Sequence, residues 1–235
     1  MLNKLKEEVC RVNKMLAESG LVILTWGNAS QRDPETGLIA IKPSGVPFDE
    51  LKPDDIVIVN ANGEVVEGHL NPSSDLPTHL EIYKAFPEIG GVVHTHSTFS
   101  VAFAQAQRSI PTLGTTHADS FMGEIPLTRS FKKEDFVEYE KSTGQIIVET
   151  FKGRNPLDTP AVLVRNHGPF TFGKTAKEAF ENALILENVA KMAYLTLRLK
   201  DEKDIVPETM LYEKHHDRKH GEHAYYGQKG KKEWI

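Results

Sequence analysis

The spacing of apolar residues changes period several times along the chain, and each change predicts an element. Leu2, Leu5, Val9, Val12 and Leu16 recur at intervals of three and four, the stripe of an amphipathic helix that Gly20 is placed to close. "LVILTWGNAS" and "LIAIKPSG" then read as strands, each running into a polar turn. "DIVIVNANGEVVEG" alternates around Asn62-Gly63, the dipeptide preferred in a tight hairpin, so antiparallel pairing is expected there. After Pro77, Thr78 and Glu81 stand three apart as a capping box and open a helix to about Phe86. "GGVVHTHS", "GQIIVETF", "PAVLVRNHG" and "PFTFG" read as later strands. Thr175 with Glu178 caps a long helix through "AFENALILENVAKMAYLTLRL". The mixed order and the hairpin favour a three-layer α/β domain with a partly antiparallel sheet over a doubly wound one. The tail from about Glu213 is polar, histidine-rich and too aromatic for a merely solvated end.

Composition narrows the class. At 235 residues the chain can bury a full core as one domain, and it carries no internal repeat or low-complexity linker to divide it. Hydrophobic residues at 39% and charged ones at 26%, spread without long blocks, argue against disorder. A net charge of −5 gives no general basic field, so no nucleic-acid partner is expected and a phosphate would need local donors. Cys10 is the single cysteine, which excludes an internal disulfide and suits a reducing compartment. No apolar run approaches the roughly 20 residues of a membrane span, and the first 20 residues lack the form of a signal peptide. No membrane partner is expected, and the expected location is the cytoplasm.

The hydrophobic run of "GGVVHTHS" ends in two histidines. Successive strand side chains alternate faces, so His94 and His96 project together while Thr95 points away. Two imidazoles about 6 to 7 Å apart at their backbones can close on one metal ion. "AVLVRNHGPF" delivers His167 at another strand end, and three neutral imidazoles suit zinc with an open coordination position. A histidine at a strand end is also a common structural residue, so the pattern alone leaves both readings open. Three polar turns add to the first. "TWGNAS" offers Gly27 and Asn28, "IKPSG" offers Lys42, Ser44 and Gly45, and "NPSSD" offers Ser73 and Ser74. Hydroxyls and backbone amides donate to phosphate oxygens, glycine allows close approach, and one lysine supplies charge, although each turn alone is equally a plain loop. Asp75, directly after Ser74, can ligate the metal or accept a proton.

"LTWGNAS", "IKPSGV", "PSSDLPTH", "GGVVHTHS", "GTTHAD", "IPLTR", "IIVETF", "NHGPFTFGK" and "RKHGEHAYYGQ" occur in the order found in the class II aldolase and epimerase family. Over nearly its whole length the chain resembles the pentulose-phosphate epimerases of that family. The resemblance implies a class II aldolase-like α/β subunit with a mostly antiparallel mixed central sheet flanked by helices. It implies one Zn2+ per subunit and a homotetramer with active sites between subunits, to which the segment from about 213 contributes. It also implies interconversion of L-ribulose 5-phosphate and D-xylulose 5-phosphate. His94, His96 and His167 match the metal ligands, with Asp75 at or next to the metal; Asn28, Lys42, Ser44, Ser73 and Ser74 match the phosphate and substrate site. Asp119 and Tyr226 match a proton-transfer pair. Thr115, Glu140, His215 and Arg218 match further site residues, with His215, Arg218 and Tyr226 reaching in from a neighbouring subunit. The family's aldolases carry glutamate after the paired serines, and Asp75 there favours the epimerase branch. Two alternatives stay open: an aldolase that releases its fragments, and a non-catalytic adducin-like binding domain. Two departures from the pattern are Asn166, where the epimerases tend to have serine, and the C-terminal "KGKKEWI".

Overall fold

The computed structural model describes residues 2–220 and 224–227. His223 and the 229–235 extension lie outside the described residues. In chain order the elements are α1 (Leu2–Glu18), β1 (Asn28–Arg32), β2 (Ile39–Ile41), β3 (Val57–Val59), β4 (Val65–Glu67), α2 (Leu76–Ala85) and β5 (Gly91–His94). They continue with α3 (Thr98–Gln105), α4 (Thr115–Ala118), α5 (Tyr139–Thr150), β6 (Ala161–Leu163), β7 (Pro169–Gly173), α6 (Ala176–Leu199) and α7 (Thr209–His220). The seven strands form one sheet in the order β4-β3-β2-β1-β5-β7-β6. Every pair of neighbouring strands is antiparallel, and a parallel contact occurs as an isolated bridge between Leu127 and Leu163.

Strand alternation sorts the core into two layers. Ile39, Ile41, Val57, Val59 and Val92 point to one face, where they meet Ile82 and Tyr83 of α2 and Ile147 of α5. Their neighbours point the other way: Ala40 and Ile58 meet Leu5 and Val9 of α1, while Ala29 and Val93 pack with Val12 and Leu16 of α1 and with Ala179 and Ala183 of α6. Helix, sheet and helix therefore make the three layers expected, with α1 and α6 behind the sheet and α2 and α5 in front. The long α6 starts where the sequence places it, because the Thr175 side chain accepts from the Glu178 amide at 3.1 Å and the Glu178 carboxylate accepts from the Lys174 amide.

Four local expectations are corrected. Residues 144–151 are not a strand: Ile146 and Ile147 are buried on α5, and the Thr143 and Thr150 hydroxyls each donate to the carbonyl four residues earlier, which absorbs β-branched residues into a helix. "LVILTWGNAS" is strand only from Asn28, since Leu24 has φ +54° and the Trp26 amide donates to the Ile23 carbonyl in a turn. Helix α2 begins at Leu76, so Thr78 lies inside it and spends its hydroxyl on the Glu140 backbone carbonyl at 2.5 Å. The β3–β4 connection is longer than a two-residue turn, closed by the Asn60 side chain accepting from the Asn62 and Glu64 amides.

Candidate metal centre

Antiparallel pairing brings the chemically equipped segments to one end of the sheet. Asn28, which opens β1, pairs in register with His94, which closes β5, and His94 in turn faces Phe170 near the start of β7. The turn between β6 and β7 carries His167. Asn166 sits there at φ +60°, a left-handed conformation that asparagine tolerates better than most residues, which accounts for its presence. Gly168 is required by space: a Cβ on it would lie 2.7 Å from the Thr95 carbonyl oxygen and 3.5 Å from ring atoms of His94 and His96. The turn can press against the two histidines only without a side chain.

The ligand atoms of His94, His96 and His167 all lie within 4.8 Å of one another. His94 donates from Nδ1 to the Pro169 carbonyl at 2.9 Å and stacks on Phe170, with ring centroids 4.2 Å apart, so its Nε2 presents a lone pair to the cluster. His96 lies just past the end of β5, and its Nε2 is 3.0 Å from His94 Nε2. Burial, followed by the neighbouring imidazoles, lowers His167 to about 3. Burial and His94 lower His96 in the same direction, against the opposing pull of Asp75. Neutral imidazoles with converging lone pairs are the donor set that zinc and similar divalent ions take, so the residues fit the metal that the sequence implies.

Asp75 lines the same cavity but stands beside the three-histidine cluster. Its Oδ2 accepts from Asn28 Nδ2 at 2.7 Å. Burial works to raise its pKa and is outweighed by His94, His79 and His167 and by the Asn28 hydrogen bond, so the carboxyl is held below its usual range. Asn28 also donates to Ser73 Oγ at 3.0 Å, while its own Oδ1 is buried without a partner, as expected of an acceptor kept for a ligand. One helical turn beyond Asp75, His79 is fully buried and bonded through Nδ1 to Ser30 Oγ, and burial lowers it to about 4.

The cavity measures about 350 Å³, and all of the expected turn residues line it: Gly27, Asn28, Lys42, Ser44, Gly45, Ser73 and Ser74. Gly27 has φ +94° and passes so close to β5 that a Cβ would lie 2.7 Å from the His94 carbonyl oxygen. Lys42 is 2% exposed, and burial lowers its amine to about 8. Its Nζ donates to the backbone carbonyls of Pro43 at 3.2 Å and Val46 at 2.6 Å.

The remaining expected residues gather elsewhere. Asp119, at the end of α4, accepts from Arg218 Nη2 at 2.7 Å and Arg218 Nε at 3.0 Å, and lies 3.1 Å from His215 Nδ1, both partners being on α7. Burial works to raise the Asp119 pKa and is outweighed by Arg218 and His215, so the carboxyl is held low. Tyr226 packs its ring under Arg218 and Lys219. Thr115 begins α4, and Glu140 lies in the first turn of α5. None of these six lines the three-histidine cavity; within one chain α7 covers Asp119 beside a separate, larger cavity of about 930 Å³. Sequence reasoning missed Trp26, whose ring lies 6.1 Å from that of His96, and Tyr139, whose hydroxyl is 3.4 Å from His167 Nδ1. Trp26 stands in the "TWGNAS" turn, from which the sequence singles out only Gly27 and Asn28, and Tyr139 precedes the 144–151 segment that reads as a strand.

The sequence model of the family described as Class II Aldolase and Adducin N-terminal domain matches residues 7–194, and the chain belongs to that family. Among solved structures it is similar to an L-fuculose 1-phosphate aldolase, at 29% identity over 92% of this chain and 95% of the other, with a TM-score of 0.74. It is also similar to YgbL of Escherichia coli, described as a candidate aldolase/epimerase/decarboxylase, at 27% identity over 92% and 99% of the two chains and a TM-score of 0.74. The l-fuculose-1-phosphate aldolase of Thermus thermophilus matches at 25% identity over 85% and 97%, with a TM-score of 0.66. Family membership points to an enzyme of lyase or epimerase type with a histidine cluster able to hold a metal. Among the described residues no helix is long and apolar enough to cross a membrane.

Proposed function

We propose that the protein is an L-ribulose-5-phosphate 4-epimerase, a zinc-dependent homotetramer that interconverts L-ribulose 5-phosphate and D-xylulose 5-phosphate. The observation that carries this reading is the meeting in one cavity of the His94, His96, His167 and Asp75 constellation with the Lys42, Ser44, Ser73 and Ser74 turns at its wall. In a 2-ketose the C4 proton is one bond too far from the carbonyl to be acidic, so inversion at C4 by simple deprotonation fails. Breaking the C3–C4 bond instead gives the enediolate of dihydroxyacetone and glycolaldehyde phosphate.

A divalent ion held by His94, His96 and His167, with Asp75 beside it, would supply Lewis-acid stabilisation for negative charge developing on neighbouring oxygens. The chain's own residues do the rest. Lys42, Ser44, Ser73, Ser74 and the Gly45 backbone hold the phosphate, so the aldehyde can rotate without escaping. Asp119 and Tyr226 move the proton of the C4 hydroxyl as the bond breaks and re-forms. His215, Arg218, Thr115 and Glu140 complete the site, those on the C-terminal segment being supplied by a neighbouring subunit.

A second reading, a class II aldolase that releases its fragments, is favoured by the 29% identity to L-fuculose 1-phosphate aldolase. Turnover of L-ribulose 5-phosphate in heavy water, with an aldehyde trap present, tests both. Epimerisation through bond cleavage leaves C4 free of deuterium and traps little aldehyde. Stoichiometric aldehyde would favour the aldolase, and deuterium at C4 would overturn the cleavage mechanism altogether.

A further inference from the structure

His167 has two ring nitrogens, and a metal ligand is useful only if the proton sits on the one that faces away. His94 meets that condition through the Pro169 carbonyl. The ring nitrogen of His167 with a side-chain partner outside the cluster is Nδ1, 3.4 Å from the Tyr139 hydroxyl. We propose that Tyr139 is a positioning residue for the candidate metal centre: its hydroxyl accepts from His167 Nδ1–H, which fixes the tautomer that leaves Nε2 to face His94 and His96. This rests on the metal reading above.

The surroundings of Tyr139 are built to hold that hydroxyl in place. Its ring stacks on Phe136, with centroids 6.1 Å apart and planes at 9°, and tilts against Phe131 at 5.1 Å. Phe136 ends the single turn of 3-10 helix Lys133–Phe136, and at 62% exposure it gains little from burial. Its position is set by its neighbour Asp135, which accepts from Arg129 at 2.7 Å and from the Lys132 amide at 2.7 Å. Arg129 also donates to Glu149 on α5 at 2.8 Å, tying the turn to the helix that begins with Tyr139. The "IPLTR" motif, which the proposed reaction leaves without a role, thus ends in the arginine that braces the aromatic stack. An outer hydrogen-bond partner of a ligating histidine commonly accounts for about 10- to 100-fold in metal affinity.

Tyr139→Phe keeps the ring stack and removes the acceptor. Zinc affinity, measured on the full chain by competition with a chromophoric chelator, should fall roughly 10-fold or more, with the thermal midpoint of the metal-free protein unchanged. The visible spectrum of the cobalt-loaded variant should also differ from wild type, a signature that loss of packing alone would not produce. Wild-type zinc affinity and an unaltered cobalt spectrum in Tyr139→Phe would overturn the role of Tyr139. Failure of the wild-type protein to bind zinc would instead overturn the metal reading, and this inference with it.

Discussion

Replacing Lys42 by methionine removes a buried amine while keeping most of its length and volume. Among the described residues no carboxylate pairs with this amine: it donates to two backbone carbonyls and lies 4.7 Å from the centroid of the Phe48 ring. Burial lowers it from 10.5 to about 8, which at about 1.4 kcal/mol per pH unit is a cost of about 3 kcal/mol for carrying the charge at neutral pH. A phosphate in the adjoining turns would offset that cost. Lys42→Met should therefore lose a charge-assisted contact of about 1.5 to 3 kcal/mol and bind phosphorylated sugar roughly 10- to 100-fold more weakly, while free L-ribulose is scarcely affected. The ligand-free variant sheds an unpaired buried charge along with two hydrogen bonds, so its thermal midpoint should stay close to wild type or rise.

The pH dependence has a definite sign. Between about 8 and 10.5 the folded wild type has released the Lys42 proton and the unfolded chain has not, so ligand-free stability rises with pH across that window. Phosphate binding behaves oppositely and weakens as pH passes about 8, because the ammonium it needs is lost. Thermal midpoints with and without inorganic phosphate at about pH 7 and pH 9, together with calorimetric titration of both sugars, measure each part. Phosphate protecting Lys42→Met as strongly as wild type, or equal losses for both sugars, would make Lys42 a structural residue and refute the reasoning.

His96→Ala and His167→Ala should each lose a bound divalent ion, about one per subunit in wild type by elemental analysis, while keeping the fold; full occupancy in both would remove the metal assignment. Asp119→Asn should keep its ion and slow epimerisation, since that carboxylate is outside the histidine cluster. Oligomers mixed from His96→Ala and Asp119→Asn chains should be more active than either parent, and no gain after verified subunit exchange would mean that each active site is built from one chain.

Elements with redundant signals were legible in the sequence. Helix α6 announced both its cap and its apolar stripe, and the β3–β4 pairing was legible as a hairpin, although its connection is longer than the Asn62-Gly63 dipeptide suggests. Helix α5 was not legible, because Ile146, Ile147 and Val148 have strand propensity and only packing against α2 makes them helical. At the site, strand alternation was enough to pair His94 with His96, although the strand ends at His94. Nothing local in the sequence connects His167 to them, since their contact depends on β7 lying beside β5. Trp26 and Tyr139 escaped for a related reason: each meets its histidine through tertiary contact between segments distant in sequence.

The division of the expected residues into two clusters is the physical argument for a site shared between chains. The cavity with Lys42, the serine turns and the three histidines offers a place for a metal and a phosphate, but its one acid is Asp75, already bonded to Asn28 and beside the imidazoles. Reaction at C4 needs a further proton carrier on each face of the aldehyde. Asp119 and Tyr226 have that chemistry, yet in the same chain they are engaged with Arg218, His215 and Lys219 around α7. A carboxylate held low by a guanidinium is a weaker proton acceptor, so in this arrangement within one chain Asp119 is poorly placed to take a substrate proton. The C-terminal half of α6 and the start of α7 also leave Met192, Leu195, Leu199 and Met210 facing solvent, apolar surface of the kind that a neighbouring subunit covers. We propose that a second chain covers this surface and brings Asp119 and Tyr226 to the three-histidine cavity, which would make the proposed activity depend on the oligomer.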